Sequence, residues 1–137
     1  MQRDLPIWKQ LSGGSKEDMY QKIICLGRTL LPISSQAKTE ENRVTGCQSL
    51  LYLHSELKDG KIFFYADSDA LISKGLAALL IDFYNGSTPE EVLKVPPDFI
   101  EELDLPSALS PSRVNGLASL YLKMKQQALA HLVAHST

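Results

Sequence analysis

Apolar positions recur at helical spacing in three stretches of the chain and at strand spacing in one. Met19, Tyr20, Ile23, Ile24, Gly27, Leu30 and Leu31 mark one face of a helix over roughly residues 16–31. Ser15 stands as its N-cap, and Glu17 and Asp18 suit the positive end of the helix dipole. Pro32 stops it. Cys25 sits beside the apolar stripe and reads as packing material. Residues 33–43 are polar and predict a surface loop. Two strands, over 48–57 and 61–66, then flank Asp59-Gly60, a strong type I′ turn signal. With those two residues as the loop, Lys58 faces Lys61 and Leu57 faces Ile62. Side chains alternate across a strand. Leu51, Leu53, Leu57, Ile62, Phe64 and Ala66 therefore share the core face, while Tyr52, His54, Glu56, Lys58, Phe63 and Tyr65 share the wetter one.

Beyond the hairpin, Asp67 or Ser68 is expected to cap a helix carrying Ile72, Gly75, Leu76, Leu79, Leu80 and Phe83 to about residue 84. Asn85-Gly86 closes it. Thr88-Pro89-Glu90-Glu91 predicts a capping box and a short helix, which Pro96-Pro97 breaks. A further turn or two is expected over 98–103. Ser110-Pro111 then opens a long helix over roughly 111–133, with Leu117, Leu120, Tyr121, Met124, Ala128 and Leu132 on its apolar side. The order helix, hairpin, helices predicts an α+β fold: a small antiparallel sheet of about three strands covered on one face by helices. The segment before Cys47 supplies the third strand, and 1–14 is an irregular lead-in to a single domain over 1–137.

Composition changes this picture little. The 137 residues are 44% hydrophobic and 22% charged, ordinary globular values that fit one core. A net charge of -2 provides no broad basic field for nucleic acid. The absence of a signal-like segment or a membrane-length apolar run predicts a cytoplasmic protein, where thiols stay reduced. Two cysteines are too few for a cysteine-only metal or cluster site. His131 and His135 have metal-ligand spacing without the accompanying glutamate and read as frayed surface residues; His54 reads as structural. Asp67 and Asp69 read as helix-capping and dipole-compensating groups.

Cys47 is where composition gives way to chemistry. It lies after Val44-Thr45-Gly46 and before Gln48-Ser49, at the junction of loop and strand. Two readings stand on residue types alone: an inert thiol, or one presented to another molecule beside a glycine that allows close approach. Strand parity run back through Gly46 would turn Cys47 toward the core. Glycine often marks a bend, which would break that parity.

The ordered blocks resemble a known family. Val44-Thr45-Gly46-Cys47-Gln48-Ser49 resembles the cysteine motif of the SufE sulfur-acceptor proteins. Ala66-Asp67-Ser68-Asp69-Ala70 with Ile72-Ser73-Lys74-Gly75-Leu76 is similar to the second block. Thr88-Pro89-Glu90 and Leu109-Ser110-Pro111-Ser112-Arg113-Val114-Asn115-Gly116-Leu117 follow in the same order, and Tyr20 with Leu26-Gly27 matches the first helix. Tyr52 departs from the usual tryptophan and Ser73 from the usual valine.

The resemblance implies a SufE/IscU-like fold and an accessory protein, not itself an enzyme, in which Cys47 carries a persulfide. It implies stimulation of a pyridoxal-phosphate cysteine desulfurase (SufS- or CsdA-like) and delivery to an iron–sulfur scaffold (SufBCD-like). The pyridoxal phosphate belongs to the partner; no cofactor, metal, nucleic acid or membrane is expected for this chain, and a homodimer stays open. Gly46, Gln48, Ser49, Asp67, Asp69 and Arg113 are the implied partner-binding or thiol-supporting residues. A CsdE-type carrier for another pathway, an iron–sulfur or metal scaffold, and a redox enzyme coupling Cys47 with Cys25 are the alternatives. A resting Cys47 under apolar cover, swung out by residues 42–48 on docking, is the expected working cycle.

Overall fold

The computed structural model describes residues 11, 14–30, 33–46 and 49–135. Helix α1 (Lys16–Gly27) opens on a complete capping box in which the Ser15 and Asp18 side chains each accept the other's backbone N–H. It ends at Gly27, four residues short of the expected end, because Arg28 to Leu30 turn through hydrogen bonds to Cys25, Leu26 and Gly27 carbonyls. Pro32, expected to stop it, lies outside the described residues.

Strands β1 (Leu51–Lys58) and β2 (Lys61–Ser68) pair antiparallel with Leu57 opposite Ile62 and Lys58 opposite Lys61, the register that Asp59-Gly60 dictates. Both turn residues have positive φ, 53° at Asp59 and 78° at Gly60, as a type I′ turn requires. On the core face Leu51, Leu53, Ile62, Phe64 and Ala66 are buried and Leu57 is half-buried.

The sheet has two strands among the described residues, not about three. The segment expected as a third strand makes a single bridge, Arg43 to Tyr52, with the Val44 N–H donating to the Leu51 carbonyl at 2.8 Å. It goes no further because Gly46, at φ +88°, turns the chain. Ser87 bridges Ile62 at the opposite edge, where the Ile62 N–H donates to the Ser87 carbonyl at 2.7 Å. Each edge is thus met by a single bridge among the described residues, not by a further strand.

Helix α2 (Leu71–Tyr84) is the centre of the molecule. It buries residues on every side, including Ile72, Leu76, Leu79, Leu80 and Tyr84, against β2, α1 and the last helix. Its N-cap position is Ala70, without a capping side chain; Ser68 Oγ accepts the Ala70 N–H instead, and Asp67 remains in β2. Asn85 ends it and accepts the Phe64 N–H through Oδ1 at 2.8 Å, tying the helix end to the sheet. Helix α3 (Pro89–Lys94) carries the expected Thr88–Glu91 capping box. Two short helices, α4 (Phe99–Glu102) and α5 (Leu105–Ala108), lead to α6 (Pro111–His135), which packs on α3, α2 and β1. The Tyr84 hydroxyl donates to the Val95 carbonyl at 2.6 Å beneath the Tyr121 ring, and burial pushes its pKa upward. No helix among the described residues is long and apolar enough to cross a membrane.

Candidate functional site

Cys47 and Gln48 lie outside the described residues, so the site is built from what borders them. On the near side, Gly46 is seated against α6. A Cβ added there would collide with Ser119 Oγ, and its positive φ would strain any side chain. A groove lined by Glu41, Thr45, Gly46, Ser119 and Lys123 runs beside it, and the Lys123 ammonium donates to the Glu41 carbonyl. On the far side, strand β1 starts at Leu51, three residues later than expected. Ser49 and Leu50 are not strand, so alternation from β1 cannot be carried back to Cys47.

Ser49, two residues past Cys47, anchors the loop to a polar cluster. Its Oγ lies 2.8 Å from Ser73 Oγ on α2, and Arg113 Nη1 at the start of α6 donates to the same Ser73 oxygen at 2.9 Å. These residues and Ser112 line a water-sized pocket floored by Leu51, Leu76, Leu117 and Leu120. Among the described residues no carboxylate pairs with Arg113. Its positive charge therefore lines the pocket without a described counter-ion.

The two aspartates hold the base of the same loop. Asp69 accepts the Leu50 N–H through Oδ1 at 3.0 Å, while the Asp69 N–H donates to the Leu50 carbonyl at 3.2 Å. Asp67 pairs with Lys38 at 2.8 Å and Lys74 at 3.6 Å. Neither caps α2; each cross-links segments distant in sequence. Partial burial pushes the Asp67 carboxyl up, yet the hydrogen bond and charge of Lys38, the Ser68 backbone N–H and the charge of Lys74 together outweigh it. The net shift is downward.

A lowered pKa contributes stability that is complete above the unfolded-state value and lost as pH falls through the folded-state value. Asp67→Asn is expected to lower the urea midpoint at pH 6, with the gap to wild type narrowing as pH falls below about 4 and closing only below the lowered folded-state pKa, where both side chains are neutral. A gap independent of pH would remove the ion pairs as its cause.

Two further expectations are corrected. Cys25 is exposed, not packed: Ile23 and Gly27 face α2, and a residue two positions from each points away. His131 is no frayed residue, since its Nε2 lies 3.0 Å from Ser55 Oγ on β1; the His135 side chain lies outside the described residues. Ser73, noted from sequence only as a departure from the usual valine, is the residue through which Ser49 and Arg113 meet. His54 is half-buried, 3.6 Å from Glu56 and against the Tyr65 ring. Among the described residues no group of three or more potential metal ligands occurs.

A family model described as SufE, an Fe-S metabolism associated domain, matches residues 7–128. The chain belongs to the SufE family. It is 40% identical over 117 residues to an uncharacterized SufE-like protein of Synechocystis sp., covering 85% of this chain and 74% of that one. It is also 40% identical over 114 residues to SufE-like protein 1, chloroplastic/mitochondrial, of Arabidopsis thaliana, covering 82% of this chain and 30% of that protein. Against the cysteine desulfuration protein SufE of Plasmodium vivax, identity is 39% over 109 residues, with 77% and 43% covered. The chain thus spans less than half the length of the latter two. A solution structure of a hypothetical protein from Thermus thermophilus superposes with a TM-score of 0.77 at 27% identity, covering 92% of this chain and 93% of that one. The SufE-family α+β fold is therefore present, and in sequence Cys47-Gln48 falls between Gly46, seated against Ser119 of α6, and Ser49, bonded to Ser73 of α2.

Proposed function

We propose that this SufE-family chain is a sulfur carrier. Cys47 takes sulfur from the persulfide of a pyridoxal-phosphate cysteine desulfurase and passes it on toward iron–sulfur cluster assembly. The Cys47 thiolate attacks the outer sulfur of the partner's persulfide. A bond forms between Cys47 Sγ and that sulfur, and the partner's S–S bond breaks. Its electron pair leaves with the desulfurase cysteine, which takes up a proton. No net oxidant or reductant is consumed, and a second exchange of the same kind discharges the sulfur. The pyridoxal phosphate and the cleavage of free cysteine belong to the partner.

The observation that carries this reading is the polar cluster next to the motif. Ser49, two residues from Cys47, is bonded to a hydroxyl that also holds Arg113, a cation without a described counter-ion. A nearby cation favours thiolate over thiol. Leu50 and Leu71, 38% and 58% exposed, flank Asp69 and give the loop an apolar rim that suits a docking partner. Mixing the chain with a desulfurase and one equivalent of cysteine, then weighing it intact without reductant, is expected to show one added sulfur. Unchanged mass beside a turning-over desulfurase would overturn the proposal.

A further inference from the structure

We propose that the groove between the α4 segment and the first half of α6 docks a short apolar segment of another protein, flanked by Lys or Arg. The proposal does not rest on the carrier reading. Helix α6 lines the groove with Val114, Leu117, Ala118 and Tyr121, and the α4 segment lines it with Pro97 and Ile100. Leu117 and Pro97 are buried, but Ile100, Val114 and Tyr121 are half-buried and Ala118 is exposed. The fold thus leaves apolar surface uncovered around a volume of about 510 Å³. A small polar ligand is held by polar groups that converge inside a pocket. Here the charged lining residues are Asp98 and Glu101, and both are exposed. That suits an apolar insert with charge at its edge.

The sign of that charge selects the occupant. From residue 95 to 112 the chain carries Asp98, Glu101, Glu102 and Asp104 and no Lys or Arg. All four acids are exposed. Asp104 accepts the Ser107 hydroxyl at 2.6 Å, but among the described residues no cation pairs with any of the four. A partner bringing Lys or Arg is attracted to this rim, and one bringing carboxylates is repelled. The chain's own Lys125 ammonium already stands 4.8 Å from the centroid of the Tyr121 ring, so a cation is accommodated at this end. Length limits the insert as well. From Val114 to Tyr121 the helix advances about 10 Å, the reach of roughly two helical turns or three extended residues.

The test presents the full chain, immobilised, with a random peptide library displayed on phage. The enriched peptides are expected to carry apolar side chains next to Lys or Arg, and synthetic copies of them are titrated by fluorescence anisotropy. Ala118→Arg puts a long cation into the groove from an exposed helix position, and is expected to weaken binding about tenfold or more. Reversing both rim charges, Asp98→Lys with Glu101→Lys, is expected to weaken it about fivefold, a loss that shrinks as salt is raised. Circular dichroism checks that each variant is folded; if Ala118→Arg is not, Ile100→Ala takes its place, with a loss in the same direction. No enrichment, enrichment of acidic peptides, or binding that neither variant weakens overturns the proposal. Sedimentation velocity over a concentration series is expected to show no self-association through this groove. Self-association that Ala118→Arg abolishes would assign the groove to a second copy and overturn the proposal too.

Discussion

Cys47→Ser is expected to abolish sulfur uptake from a desulfurase, while Cys25→Ser leaves it at the wild-type level. The attacking species in persulfide exchange is a thiolate. A serine hydroxyl is a weak nucleophile at neutral pH unless a base activates it, and no described side chain of the cluster is one. Cys25 presents the sharper control because it is exposed on α1. If exposure alone decided reactivity, Cys25 would collect sulfur as readily as Cys47. The carrier reading instead attributes reactivity to the Arg113 charge and to the loop motif, neither of which Cys25 shares. Intact mass after one equivalent of cysteine separates these cases. Sulfur on Cys47→Ser, or none on Cys25→Ser, would transfer the chemistry to Cys25 or to a cysteine couple.

What the sequence discloses divides by the range of the interaction. The hairpin register is legible because Asp59-Gly60 restricts the turn to a geometry with both φ values positive, and alternation then assigns every face. The Ser15 cap and the Thr88 capping box are equally local, since each partner lies three residues away. Asp67 and Asp69 mislead for the converse reason. An aspartate before a helix has the composition of a cap whether or not it caps, and here the competing partners are Lys38 and Leu50, far away in sequence. The same distance hides the bond of Ser73 to Arg113, separated by 40 residues, and that of Ser55 to His131, separated by 76. No periodicity couples such positions. The third strand fails at one residue, Gly46, whose conformational freedom is visible in sequence but whose choice of bend is not.

The site is consequently a product of three elements that meet at the N-terminal end of α2. Helix α2 contributes Ser73, helix α6 contributes Arg113 and the seat for Gly46, and the hairpin contributes Asp67 together with the start of β1. Their relative placement depends on α2 being held by α1 from behind.

That dependence makes Gly75→Ala the substitution with the largest expected effect on stability. A Cβ at Gly75 would fall onto the Ile23 carbonyl oxygen of α1, with the Ile23 carbonyl carbon at 2.6 Å and its Cγ2 at 2.7 Å. The opposing atoms are mostly backbone, so no rotamer change relieves the clash. The two helices must separate, which opens the fully packed layer between Ile23 and Leu76. Alanine in place of glycine improves helix propensity by about 1 kcal/mol. Overpacking that forces backbone shifts costs about 1–3 kcal/mol, and a clash with backbone carbonyl atoms falls at the upper end. The clash therefore outweighs the propensity gain, and a net loss of about 2 kcal/mol is a substantial part of the stability of a single domain. Thermal unfolding followed by circular dichroism is expected to show a midpoint lower by about 10 °C. Gly27→Ala, whose Cβ would meet the Gly75 nitrogen at 2.8 Å, should cost less. A midpoint for Gly75→Ala at or above wild type would mean that α1 does not lock α2, and that the placement of Ser73 against Arg113 is fixed by the sheet and α6 instead.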